Sequence, residues 1–61
     1  MPKYKLEINL KPEIHEGQMK YYWKIVQINN DGIFTVKDGF ASDLYYALDD
    51  AVYTAENILE L

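Results

Sequence analysis

Residues 3–11, KYKLEINLK, alternate without a break: Tyr4, Leu6, Ile8 and Leu10 fall on one side, Lys3, Lys5, Glu7, Asn9 and Lys11 on the other. A period of two is that of a strand with one buried face. Pro12 has no N–H to give to a ladder and closes this strand. PEIHEGQ, residues 12–18, then reads as a polar connection turning at Gly17. MKYYWKIVQIN, residues 19–29, is rich in aromatic and β-branched side chains and predicts a second strand. Its apolar groups lie on both sides, Tyr21, Trp23 and Ile25 on one, Tyr22, Val26 and Ile28 on the other. That is the pattern of a central strand covered on two faces. Asn29-Asn30-Asp31-Gly32 predicts a hairpin turn of residues that tolerate positive φ. IFTVK, residues 33–37, is the third strand, and Asp38-Gly39 a second turn.

Beyond Ser42 the period changes. Leu44, Ala47, Leu48, Ala51, Val52, Ala55, Ile58 and Leu59 recur at three and four, the stripe of an amphipathic helix. Ser42 is placed to cap it and Asp43 to meet the positive end of its dipole. A helix over 43–60, about 18 residues, is about 27 Å long, and Ala47, Ala51 and Ala55 let it lie close to a sheet. The predicted fold is α+β: a three-stranded antiparallel meander followed by one long C-terminal helix packed on one face. One helix covers one face only, so Tyr21, Tyr22 and Trp23 are expected at a contact with a second copy, in a homodimer.

The chain has 61 residues, room for a single small domain. At that size folding buries about 60% of the unfolded surface, and stability is marginal. Cysteine is absent, so neither a disulfide nor a thiolate metal site helps. An apolar content of 49% is far from that of a disordered chain. The alternating first residues are unlike a signal peptide, and no apolar run approaches the roughly 20 residues of a membrane span. A cytoplasmic location is the expectation.

Charge divides the chain more sharply than its net of −4 suggests. Residues 1–37 hold all six lysines and four acids, net +2, while residues 38–61 hold six acids and no base, net −6. The helix alone carries Asp43, Asp49, Asp50, Glu56 and Glu60 without a lysine or arginine. Acids stabilise the first turn of a helix and destabilise its last, and no base stands four residues on to pair with any of them. Helix stability therefore explains Asp43 only.

Little here carries catalysis. Asp49 and Asp50 are helix neighbours about 100° apart and do not converge on one proton or ion. His15 lies in a loop between Glu13 and Glu16, where a metal would be held loosely at best. No nucleophile–base pair or phosphate-binding glycine loop is present. No enzymatic activity, cofactor or metal is expected.

The stretch from Tyr22 and Trp23 through Asn30, Gly32, Gly39, Phe40 and Ser42 to Ala47 and Ala51 resembles the YegP-like bacterial domain of unknown function. The resemblance spans about two-thirds of the chain and implies a β-β-α unit: an aromatic strand, an Asn-Gly type turn, a second strand, a Gly-aromatic-Ser segment and a helix with spaced small residues. It brings no catalytic residues. The element order is also similar to HicB-type antitoxin domains, with DGFASDLYYALDDAVYTAENIL in the place of that family's turn and helix.

The functional expectation rests on the outer helix face. Tyr46, Asp49, Asp50, Tyr53 and Glu56 form a tyrosine–carboxylate surface, suited to meeting a basic protein: tyrosine gives contact area at low entropic cost, and carboxylates steer a basic partner. The extreme form is mimicry of nucleic-acid phosphates by a small inhibitor. The alternatives are a nucleic-acid-binding sheet face using Lys3, Lys5, Lys20, Lys24 and Trp23, and a subunit whose only role is self-assembly. The missing arginines and the surplus of acids oppose the first alternative.

Overall fold

The computed structural model describes residues 2–59. Four strands precede one helix: β1 (Lys3–Ile8), β2 (Glu13–His15), β3 (Gln18–Asn29), β4 (Gly32–Ala41) and α1 (Leu44–Leu59). The α+β class and the C-terminal helix are as the periodicities predict; the sheet has four strands rather than three. The additional one is β2, which lies in the segment read as a polar connection. It forms a hairpin with the start of β3, pairing Glu13 with Lys20 and His15 with Gln18. The turn between them is Glu16-Gly17, with φ of 53° and 81°. Positive φ at both central residues matches the right-handed twist of the strands it joins.

β3 is the hub of the sheet. β1 pairs with its residues 23–28, β2 with 18–20 and β4 with 21–29, all antiparallel. Between Ile25 and Val26 the β4 register slips by one: Ile25 faces Lys37 and Val26 faces Thr35, which leaves Val36 as a bulge. Asp38-Gly39, expected as a turn, continues β4 instead, and Gly39 faces Trp23 across the ladder. The β3–β4 turn also departs from expectation in mechanism. Among residues 29–32 only Gly32 has positive φ. Asn29 acts through its side chain, whose Oδ1 accepts the Asp31 N–H at 2.8 Å.

The helix is capped by Asp43, not Ser42. The Tyr46 N–H donates to Asp43 Oδ1 at 2.8 Å, and the Ala47 N–H to the Asp43 carbonyl at 3.0 Å. Ala47 and Ala51 are fully buried on the sheet, where they join Trp23, Ile25 and Ala41 in the core, with Leu6, Ile8, Tyr21, Ala55 and Ile58 packed round it. Short side chains on the helix let its backbone approach the indole. The expected end of the helix, Glu60, lies outside the described residues.

Few side chains are buried for the length of the chain. A compact chain of 7.2 kDa exposes about 4,100 Å², whereas this one exposes 4809 Å². Its radius of gyration is 12.3 Å, against about 10.5 Å for a compact domain of its length. The elongation follows from β3, whose first residues and β2 run on past the start of α1.

Candidate interaction surfaces

Each face of the sheet has its own chemistry. Side chains alternate along a strand, and residues directly opposite in an antiparallel pair share a face. Trp23, Ile25 and Tyr21 thus share the helix-covered face with Ile8, Leu6 and Ala41. Tyr22, Lys24, Val26 and Ile28 look the other way.

The five residues predicted to meet a partner are all exposed on α1. At 100° per residue, Glu56, Asp49, Tyr53, Tyr46 and Asp50 fill an arc of about 120°, whose centre lies about 140° round the axis from the buried Ala47 and Ala51. The arc is held by a regular helix, on which Asn57 Nδ2 donates to the Tyr53 carbonyl at 2.9 Å. Within the described helix no base interrupts it. Each carboxylate on the arc is free to meet a cation in solvent.

The open sheet face carries all four lysines of the alternative site. Lys3, Lys5, Lys20 and Lys24 sit opposite Ile28, Val26, Glu13 and Glu7 respectively, and Lys24 also faces Asp38 on β4. Three acids interleave with four lysines, so the face is close to neutral. Its aromatic groups are Tyr22, Phe40 and His15: the His15 ring stacks on Phe40 at 3.8 Å and 7°, and Tyr22 tilts against Phe40 at 5.1 Å. The Tyr22 hydroxyl donates to Asp38 Oδ2 at 2.8 Å. That bond to a carboxylate raises the Tyr22 pKa above the usual tyrosine value, helped by partial burial and by the charges of Asp38 and Glu13.

Trp23 belongs to neither surface. It is 5% exposed, in the core beneath α1, and so is placed neither to stack on a base nor to meet a second copy. Of the three aromatic residues expected at a dimer contact, Tyr21 is half-buried against the core, and only Tyr22 is on the open face.

A third surface was not foreseen. Beside the first two turns of α1, Ile8, Leu10, Leu44, Tyr45 and Leu48 line a groove of about 420 Å³. Leu10 is 75% and Tyr45 83% exposed. On the helix the stripe continues to Val52, also exposed. The exposed Ile14 and Met19, paired in the β2–β3 hairpin, are on the same sheet face beyond the helix start. The available signal was the width of the apolar stripe on α1: Leu44, Leu48 and Val52 recur every four residues, on the flank of the alanines rather than in line with them.

Among the described residues no three or more His, Cys, Asp or Glu side chains gather in a group able to hold a metal ion. No helix there is long and apolar enough to cross a membrane. Comparison with protein-family models, curated proteins and solved structures finds no match.

Proposed function

We propose that the protein is a non-catalytic interaction module that presents the acidic, tyrosine-bearing face of α1 to a basic protein partner. One observation carries this reading: Tyr46, Asp49, Asp50, Tyr53 and Glu56 share a single exposed arc of a helix whose described residues include no base. Carboxylates so placed raise the rate of encounter with a cationic surface and repel anionic ones, an effect that salt screens. The tyrosines supply rigid contact area once the surfaces meet. Mimicry of nucleic-acid phosphates is the extreme form of this reading. The nucleic-acid alternative is weakened on two counts: its tryptophan is in the core, and acids face Lys20 and Lys24.

The test is capture from a lysate of the source organism on the tagged protein, beside the Asp49→Lys, Asp50→Lys variant. A basic protein retained by the parent, released by salt and missing from the variant supports the reading. Retention of nucleic acid, or of the same protein by both, sinks it.

A second reading is self-association through the open sheet face, and its support is the charge distribution. Lys3, Lys5, Lys20 and Lys24 against Glu7, Glu13 and Asp38 give that face a net +1, on a chain of −4. It is the surface on which two copies meet with least repulsion. Sedimentation equilibrium decides: a dimer that Lys24→Glu dissociates supports it, and a monomer at high protein concentration excludes it.

A further inference from the structure

We propose that the groove beside the start of α1 receives an amphipathic, basic segment of the partner protein, whose large apolar side chains seat against Leu10, Leu44 and Leu48. This deepens the reading of the acidic helix face and rests on it: the carboxylates steer the partner, and the groove holds it.

Two observations lead there. The groove is lined by Ile8, Leu10, Leu44, Tyr45 and Leu48, with no charged group among them. A small-molecule site of this size places a few polar groups to orient its ligand; here the Tyr45 hydroxyl is the only side-chain polar group. An apolar segment of protein needs no such guides. Second, Leu44, Leu48 and Val52 extend the apolar surface along two turns of helix, about 12 Å. That is the spacing over which a partner helix offers anchors at i, i+3 or i+4, and i+7.

Charge selects the occupant. On the helix the groove gives way to Glu56 and Asp49, about 20–60° round the axis from Val52 and Tyr45; the sheet side ends in Lys11. Two copies of this chain joined through the stripe bring two Asp49 and two Glu56 into one interface against only the two Lys11, a surplus of acids. A segment with Lys or Arg beside its apolar residues turns the same rim into an attraction.

The probe is a labelled helix-forming peptide with Leu at i, i+3, i+4 and i+7 and Lys elsewhere. Beside it run a sibling with Glu for Lys and another with Ser for Leu, each titrated by fluorescence anisotropy against the full chain. The parent is expected to bind the Lys–Leu peptide, with affinity that falls as salt rises. Leu10→Ser and Leu48→Ser are each expected to weaken binding roughly tenfold, the equivalent of one large apolar contact. Leu10 is outside every strand and the helix, so its variant tests the groove even if Leu48→Ser disturbs α1; circular dichroism checks both. Serine for leucine in the peptide should weaken binding as much.

Failure is separable from failure of the underlying reading. If Leu10→Ser and Leu48→Ser bind as the parent does while Asp49→Lys, Asp50→Lys does not, the groove proposal falls and the acidic face stands. If the Glu–Leu sibling binds equally well, both fall, since charge then selects nothing. If no peptide binds, or if the parent sediments as a dimer that Leu48→Ser dissociates, the basic segment is overturned, in the latter case in favour of a second copy.

Discussion

Trp23 packs directly on Gly39, its partner across the β3–β4 ladder. A Cβ at position 39 would lie 2.8 Å from Trp23 Cζ2 and 3.1 Å from Nε1, well inside contact distance. The neighbour is a rigid indole in the core, and Ala47 and Ala51 of α1 lie in the direction in which it would be pushed. Gly39→Ala is therefore expected to destabilise the protein by about 1–3 kcal/mol, the range for overpacking a core, and Gly39→Val by more. Urea denaturation of the three proteins measures it; an alanine variant as stable as the parent would show that the indole repacks freely.

Position 43 tests the helix start. Asp43→Ala removes the acceptor of the Tyr46 N–H and should cost about 1 kcal/mol, whereas Asp43→Asn keeps an acceptor and should cost less. Ser42→Ala should be silent. Thermal melts of the three rank them, and a larger loss at Ser42 than at Asp43 contradicts the cap.

The β2–β3 turn can be improved. Glu16 has φ of 53°, where a residue with a Cβ is strained and Asn fares better. Glu16→Asn creates the Asn-Gly pair favoured in such two-residue turns, and Glu16→Gly removes the strain at the expense of chain entropy. Asn is expected to stabilise by about 0.5 kcal/mol, read as a higher denaturation midpoint.

Alkaline stability should depend on Tyr22. Its pKa is raised in the fold, first by the bond to Asp38 and then by burial and nearby acids. A raised folded value means that the folded state holds its proton more firmly than the unfolded chain. The stabilisation is complete below about pH 10, the value of a free tyrosine, and is lost as pH climbs through the higher folded value. Comparing urea midpoints near pH 8 and pH 11, Tyr22→Phe should lose less stability than the parent does. An equal loss in both would mean that the bond has no energetic consequence.

Much of this architecture is legible from periodicity. The alternation of residues 3–11 marks β1, and the 3.6 period after Ser42 marks α1, because both elements bury one face of a regular repeat. The rest escapes for physical reasons. β2 has three residues, too few to show a period, and its turn uses Glu where Asn or Gly would announce it. Asp38-Gly39 has the composition of a turn, yet glycine is there because an indole lies against it; close approach and positive φ ask for the same residue. Ser42 and Asp43 are both good caps, and only the chain path chooses between them. The exposed arc from Glu56 to Asp50 follows from helical spacing alone. The groove does not, because it needs Ile8 and Leu10, more than thirty residues away in sequence, to stand beside Leu44 and Leu48.

β3 serves as the common partner of the other three strands, and its amides can report on each edge separately. Along an antiparallel strand, successive residues direct their N–H and C=O groups to opposite edges. The Tyr22 carbonyl accepts from the Asn9 N–H, so the even-numbered residues there point toward the β1 side and the odd-numbered toward β4. In hydrogen exchange, Lys24 and Val26, opposite Glu7 and Lys5, then time the detachment of β1, and Tyr21 and Trp23 that of β4. Equal rates at all four would describe a chain that opens as one cooperative unit, and a split between odd and even would identify which edge frays first.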